Sequence, residues 1–185
     1  MQSVLANRII RPIDVAASSF QGAGGPRLPE YTITDIGLSF SYGQGFFISD
    51  DRPIHSTVRF EAWESEGTQI ISNQWIMFDL GEKLLIAGMV GYNRQSTPSG
   101  GISNVVIYAS TNNDAWQNPS DSSWSKVFEG VFPISTGGDQ GFLQVFDQSG
   151  YARYIMMRDF VRFDQAETDN LGFAKFRAIA GGLFK

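Results

Sequence analysis

Cysteine is absent from these 185 residues, and histidine occurs once, at position 55. Without cysteine there are no disulfides, thiolate metal sites or thiol nucleophiles, so the fold relies on packing alone. His55 alone cannot build a histidine metal cluster or provide a second imidazole base, and we expect it to be structural or solvated. No Gly-x-Ser-x-Gly motif presents a serine nucleophile. The sequence therefore predicts no catalytic residue, no cofactor and no enzyme activity.

Positive charge and long apolar runs are also scarce. Lys and Arg total 14 against 19 Asp and Glu, for a net charge of −5, and no window gathers enough cations to neutralise a phosphate backbone. The longest apolar run, Leu84–Val90, is interrupted by Gly88 and is far shorter than the ~20 residues that span a bilayer. Charged residues interrupt the N-terminal segment, which excludes the continuous apolar run of a secretory signal. We expect no nucleic-acid partner, no membrane insertion and no signal peptide.

What the chain does contain is apolar and aromatic: 42% hydrophobic residues and 15 Phe. Short apolar or alternating segments separated by Gly, Ser, Asn, Asp and Pro predict an all-β antiparallel sandwich. We expect Trp63 and Trp75 in its core, and Lys175 and Arg177 on its outside. The predicted strands are Val58–Trp63, Trp75–Leu80, Leu84–Tyr92, Asn104–Ser110, Trp124–Phe132, Phe142–Phe146, Tyr154–Phe160 and Phe173–Ala180. Of these, Trp75–Leu80 and Tyr154–Phe160 are expected to pack against each other from two stacked sheets.

Glycine and proline divide the chain into two parts. Residues 1–30 combine an apolar patch, Val4–Val15, with a stretch in which Gly and Pro disfavour both helix and central strand. We interpret residues 1–30 as an N-terminal arm and loop. Residues 31–185 form the predicted sandwich.

Several segments resemble the discoidin, or F5/8 type C, family of galactose-binding-like domains. Trp75-Ile76-Met77-Phe78-Asp79-Leu80-Gly81 is similar to that family's Trp-Ile-x-x-Asp-Leu-Gly strand, in which Asp-Leu-Gly closes the strand into a tight turn. Ile107–Trp116 is similar to its strand, polar hairpin and Trp, Ala152-Arg153-Tyr154-Ile155 to its Ala-Arg-Tyr-Ile strand, and Gly172–Arg177 to its closing strand. The resemblance implies a jelly-roll sandwich that binds rather than catalyses.

One position departs from that family in a way that bears on metal binding. Lys175 stands where many members carry a Glu that helps to hold a structural calcium ion. A cation at this place opposes Ca²⁺, which prefers oxygen ligands and negative charge. We therefore expect no calcium site, or a weakened one.

Long polar loops on a rigid sandwich are common places for binding. Tyr92, Asn93, Arg94 and Gln95 begin such a loop, and Trp116 ends another turn; aromatic rings stack on sugars while Arg, Asn or Gln bond the hydroxyl groups. These five residues are our candidate ligand-binding residues. For Trp116 the alternative is packing against the sandwich edge, as the equivalent Trp of the family commonly does.

Carboxylate pairs offer the remaining route to catalysis, since two of them can hydrolyse glycosides. The candidates lie in polar segments where nothing separates their pKa values, so we interpret them as solvated surface. They are Asp50 with Asp51, Glu64 with Glu66, and Asp164 with Glu167 and Asp169.

The opening residues carry a second, shorter resemblance. Asn7-Arg8-Ile9-Ile10-Arg11-Pro12, followed by Ala16–Ser19, is similar to the start of tailed-bacteriophage virion proteins.

The sequence as a whole leads to two hypotheses for the function. The first is a structural protein of a phage tail, baseplate or capsid, made in the host cytoplasm and located in the virion, with other virion proteins and copies of itself as partners. The alternative is a carbohydrate-binding module or adhesin that recognises cell-surface glycan through the loops Asn93–Ser103 and Gln117–Ser123.

Overall fold

The structure, a computed structural model, describes residues 8–10, 12–18, 63–64, 70–93, 98–135, 141–168 and 171–181. Within these ranges the chain is almost entirely antiparallel strand, with three short 3-10 turns at Ile71–Asn73, Pro98–Gly100 and Asn113–Ala115. The strands are β1 (Arg8–Ile10), β2 (Asp14–Ala17), β3 (Trp63–Glu64), β4 (Trp75–Asn93), β5 (Ile102–Ser110), β6 (Ser125–Val131), β7 (Phe142–Arg162) and β8 (Gly172–Ala180). None of the helical segments in these ranges has the length and hydropathy needed to cross a membrane.

Two long strands join the two sheets of the sandwich. β4 and β7 pair from Trp75 opposite Arg158 to Gly91 opposite Phe142, but between Asp79 and Leu84 the register shifts, so that four residues of β4 face a single residue of β7. Gly81 lies in this bulge with φ of +82°, a left-handed conformation that costs a glycine little. The paired strands therefore bend over from one sheet into the other without ending.

On one side of the bend, residues 75–80 and 154–162 form a front sheet together with β2, β5 and β6. On the other side, residues 84–93 and 142–152 form a back sheet together with β8, β1 and β3. Apolar side chains of both sheets meet in one core, where the Phe78 ring stacks on the Phe176 ring at 4.1 Å between centroids. The predicted all-β sandwich is confirmed.

The bend corrects one expectation about the core. Trp75–Leu80 and Tyr154–Phe160 do not face each other across the sandwich; they are hydrogen-bonded neighbours in the front sheet, with Trp75 opposite Arg158 and Asp79 opposite Tyr154. The sequence patterns of both segments are those of buried strands, and such patterns do not distinguish a neighbour in the same sheet from a partner in the facing sheet.

Two side chains differ in burial from the expectation. Trp75 is half-buried on the outer face of the front sheet, because the alternation of the strand directs Ile76 and Phe78 into the core. Arg177 alternates outward between the buried Phe176 and Ala178 as predicted, yet it is only 8% exposed, and its guanidinium group donates to the carbonyl of Phe176.

The N-terminal arm is paired with the sandwich wherever the structure describes it. β1 pairs with β8, and β2 pairs with β4. Val15 is buried in the core, and this apolar contact holds β2 against the sandwich. β1 is thus an edge strand of the back sheet, and β2 is an edge strand of the front sheet.

Candidate functional site

The sandwich has two unlike ends. At the fold-over end, β4 and β7 bend from the front sheet into the back sheet. At the opposite end, which we call the loop end, the connections after β4, β6 and β7 leave the sheets. Backbone hydrogen bonds gather these connections: Asp164 donates to Ser99, Phe132 donates to Ser103, and Gly101 bridges to Gly172. The loop end is therefore a convergent set of irregular segments on a rigid base, the usual setting of a binding site.

Asn93 closes the connection after β4 and fastens it to the connection after β6. Its amide nitrogen donates to the carbonyls of Ile102 (2.7 Å) and Pro133 (3.1 Å), and its amide oxygen accepts from the backbone nitrogen of Ile102 (2.9 Å). The side chain is 3% exposed. Asn93 lies at the predicted site, and the structure assigns its amide to the framework of the loop end.

Tyr92 precedes this framework and points the other way, onto the outer face of the back sheet. Its side chain is half-buried. A Cβ atom added at Gly141, the residue directly before β7, would lie 2.6 Å from the Tyr92 ring, so the ring rests against the glycine backbone. Because position 141 has no side chain, one face of the Tyr92 ring packs directly against the backbone there. Arg94 and Gln95, the next two candidate residues, lie outside the described residues, as does His55.

The turn after β7 also belongs to the loop end, and sequence reasoning missed its role. Arg162 is 3% exposed and donates to the Asp164 carboxylate at 2.6 Å, while the other Asp164 oxygen accepts from the backbone of Ala166. Gln165, with φ of +59°, donates its amide to the carbonyl of Arg162. The sequence pattern indicates a solvated Asp164, but both of its carboxylate oxygens accept hydrogen bonds in this turn. Its spacing of two residues from an arginine at a strand end is the sequence signal for this role.

Trp116 lies at the fold-over end, away from the other candidate residues. The loop that begins at Asn93 precedes β5 and the loop that contains Trp116 follows it, so a strand about 25 Å long separates them. The two loops proposed for glycan recognition therefore do not line one compact site.

A bonded cluster holds the Trp116 turn against the front sheet. The Trp116 ring stacks on the Tyr154 ring with 5.5 Å between centroids, and the Tyr154 hydroxyl donates to the Asn113 side chain at 3.0 Å. Arg153 donates to both carboxylate oxygens of Asp79, at 3.1 and 3.0 Å, and to Asn113 at 3.3 Å. Trp116 thus packs on the sandwich edge, in a half-buried position.

Electrostatics in this cluster favour a fixed ion pair beside a neutral phenol. Hydrogen bonding to Asp79 raises the pKa of Arg153, so the guanidinium group keeps its charge. Burial raises the pKa of the Tyr154 hydroxyl, and the Asp79 charge adds to that effect. The same Asp79 carboxylate accepts from the backbone nitrogen of Gly81 at 2.7 Å and so fixes the bulge. The Asp-Leu-Gly and Ala-Arg-Tyr-Ile segments noted in the sequence meet in this one ion pair.

Among the described residues, no group of three or more His, Asp and Glu side chains is arranged to hold a metal ion. The side chain of Lys175 lies outside the described part of the chain, and the expectation of an absent or weakened calcium site stays a prediction. What the described part of the loop end offers is the Tyr92 ring beside a fixed frame, and an aromatic ring binds sugars by stacking.

The model of the F5/8 type C domain family matches residues 31–160, which is more than half of the chain. The chain belongs to the F5/8 type C domain family. Its membership accords with the Asp79 and Arg153 segments, which both fall within the matched region. Among curated proteins, no sequence matches this chain.

The solved structures similar to this F5/8 type C domain include carbohydrate-binding modules. The family 32 module of NanJ from Clostridium perfringens, in complex with galactose, has a TM-score of 0.61 and 16% identity, over 94% of this chain and 99% of that one. A module of C. perfringens GH89, in complex with GalNAc-β-1,3-galactose, has a TM-score of 0.58 and 15% identity, over 91% and 94%. Chitosan-binding module 2 from Paenibacillus sp. IK-5, in complex with chitotriose, has a TM-score of 0.55 and 14% identity, over 93% and 98%. At these identities the similarity establishes the fold.

Proposed function

We propose that this F5/8 type C domain is a non-catalytic carbohydrate-binding module whose ligand is a glycan bound at the loop end. The observation that carries the proposal is the half-buried Tyr92 ring, seated on Gly141 beside the loop framework that Asn93 holds together. A ring fixed on one face offers stacking area to a sugar with little conformational entropy to lose. The similar modules solved with galactose, GalNAc-β-1,3-galactose and chitotriose support the same function.

The five candidate residues have different roles in this proposal. Tyr92 stacks on the sugar, and Arg94 and Gln95 donate to its hydroxyl groups. Asn93 holds the framework. Trp116 packs on Tyr154 and takes no part in this site.

A glycan array probed with the isolated protein tests the proposal. We expect reproducible binding to at least one glycan, weakened at least tenfold in Tyr92→Ala and in Arg94→Ala. Tyr151→Ala is the matched control, because Tyr151 is 62% exposed and lies on β7 close to the bend, away from the loop end. A blank array, or equal losses in Tyr92→Ala and Tyr151→Ala, contradicts the proposal.

A second candidate function is assembly into a phage particle, which requires a contact surface for other protein copies, and the back sheet has an exposed apolar row that can serve as one. Ile9, Ile179, Gly88 and Val145 are successive partners across the four strands of the back sheet. Ile9 is 64% exposed and Val145 48%, and the neighbouring Leu143 is 64% exposed. An apolar row across a sheet face is typical of contact surfaces between proteins.

Sedimentation velocity of the wild type and of Leu143→Glu tests the assembly function. We expect the wild type to associate with itself as concentration rises and Leu143→Glu to remain monomeric. A wild type that stays monomeric throughout counts against self-assembly and leaves the glycan-binding proposal untouched.

A further inference from the structure

The outer face of the front sheet carries an aromatic ring beside an ion pair. Trp75 of β4 and Arg158 of β7 are direct partners across the sheet, so both side chains lie on the same face. The indole is half-buried rather than covered, and the Arg158 side chain is 37% exposed.

Asp159 pairs with Arg158 because of an unusual backbone conformation. Simple alternation would direct the residue after Arg158 into the core. Asp159 instead has φ of +54°, and β7 is bulged there, since Asn104 pairs with Val161 while Val106 pairs with Arg158. The carboxylate consequently emerges on the surface, 41% exposed and 3.3 Å from the Arg158 guanidinium group. Left-handed backbone at a residue other than glycine costs energy and often marks a functional site, and bulges re-aim side chains.

The pair is held from the far side as well. Arg158 donates to the carbonyl of Pro119 at 3.3 Å, so the loop that crosses from the fold-over end fixes the guanidinium group. That loop is itself bonded internally: the Trp124 indole donates to the carbonyl of Asn118, and Asp121 accepts from the backbone of Ser123. The donor on Arg158, the strand partner of Trp75, and the acceptor on Asp159 are therefore preorganised.

We propose that Trp75, Arg158 and Asp159 form a second saccharide-binding site, on the outer face of the front sheet. The indole stacks on one face of a pyranose ring, Arg158 donates to one hydroxyl group, and Asp159 accepts from its neighbour. A donor and an acceptor held side by side match vicinal hydroxyl groups, and because their charges cancel, the site selects a neutral sugar over an anionic one. Tyr92 lies on the back sheet, on the opposite outer face, so the two sites are separate. This second site extends the proposed glycan-binding function, and experiment can support or refute it independently of the loop end.

Asp159→Gly is the sharp test, because it separates binding from folding. Glycine relieves the left-handed conformation, so we expect a melting temperature equal to or above that of the wild type. If Asp159 serves only the fold, nothing else changes. If it binds sugar, its loss weakens binding at this face at least tenfold.

The readout is the indole N–H cross-peak of Trp75, assigned with Trp75→Phe, while galactose, GalNAc-β-1,3-galactose and triacetylchitotriose are titrated into the full chain. We expect this cross-peak to shift with at least one neutral sugar and to shift less with galacturonate. The shift should persist in Tyr92→Ala and be lost in Asp159→Gly. Gln117→Gly, which relieves a similar φ of +60° at the fold-over end, is the matched control and should keep the shift.

A Trp75 cross-peak that stays in place with all three neutral sugars, or that shifts equally in Asp159→Gly, overturns the second site. If amide cross-peaks at the loop end still move in that experiment, the proposed function survives and only the second site fails. If the Trp75 cross-peak moves while the loop end stays silent, the second site stands and the loop-end proposal fails.

Discussion

Buried amides and ion pairs at single positions explain why particular residues of this chain are polar. At Asn93, replacement by Asp removes two donated hydrogen bonds and places a carboxylate beside the carbonyls of Ile102 and Pro133. We expect Asn93→Asp to lower the free energy of unfolding by about 3 kcal/mol in urea denaturation, because the new charge is buried next to two carbonyl oxygens that Asn93 had satisfied as a donor. Asn73→Asp, at an exposed position, is the control and should change it by less than about 0.5 kcal/mol. Equal effects of the two substitutions would refute the framework role of Asn93.

Two ion pairs of this chain differ in burial, and removing them should lower the free energy of unfolding by different amounts. Asp79 is 10% exposed and bonded by Arg153 through both oxygens, whereas Arg8 and Glu82 are 63% and 66% exposed. Removing Arg153 strands a largely buried carboxylate, so we expect Arg153→Ala to cost about 2 kcal/mol, a value reduced because Arg153 itself is one-third exposed. Arg8→Ala should cost no more than about 0.5 kcal/mol. Urea midpoints of both variants measure the difference, and similar losses would contradict it.

Tyr154 should make the free energy of unfolding depend on pH in the alkaline range. Burial raises its pKa above the ordinary value of about 10, so the folded state holds the phenolic proton more tightly than the unfolded state. The resulting stability is fully present below about pH 10 and is lost as pH rises through the higher pKa of the folded state. Urea unfolding from about pH 9 to about pH 11 should therefore show a steeper loss for the wild type than for Tyr154→Phe. Parallel curves would show that this tyrosine does not contribute.

The long β4 and β7 pair is the element on which the architecture depends, and two of its glycines have opposite surroundings. A Cβ atom at Gly88 would clash with the backbone oxygen of Gln144 on the paired strand, whereas one at Gly150 would meet nothing within 4 Å. We expect Gly88→Ala to cost about 2 kcal/mol, because the strands must separate. Gly150→Ala should leave stability unchanged or raise it by up to about 1 kcal/mol. Thermal denaturation of both variants measures this, and a tolerated Gly88→Ala would mean that the strands are less closely paired than described.

At this scale the sequence predicted strands better than it predicted their continuity. Trp75–Leu80 and Leu84–Tyr92 were separate predictions and are one strand, because Gly81 supports a bulge where a turn was expected. Phe142–Phe146 and Tyr154–Phe160 are likewise separate strands in the sequence prediction, and both belong to β7 in the structure. Glycine and polar residues signal both turns and bulges, and only the partner strand decides between them.

For the whole molecule, apolar alternation and the family's segments were enough to predict the sandwich. The candidate site was predicted less well, because its residues depend on which loops share an end. Tyr92 and Asn93 lie together at the loop end, while Trp116 is a strand's length away and packed on Tyr154. Asp159 gave no signal at all, since a left-handed backbone within a strand leaves no mark in the residue pattern.

The central claim is that the loop end of this sandwich binds glycan, and backbone amide NMR tests it most directly. GalNAc-β-1,3-galactose and triacetylchitotriose are titrated into the isotopically labelled chain. The claim predicts chemical-shift changes at residues 92–101, 132–141 and 162–168 with at least one of them, and none around Trp116. It is contradicted if no amide moves with either glycan, or if the changes fall only at the fold-over end.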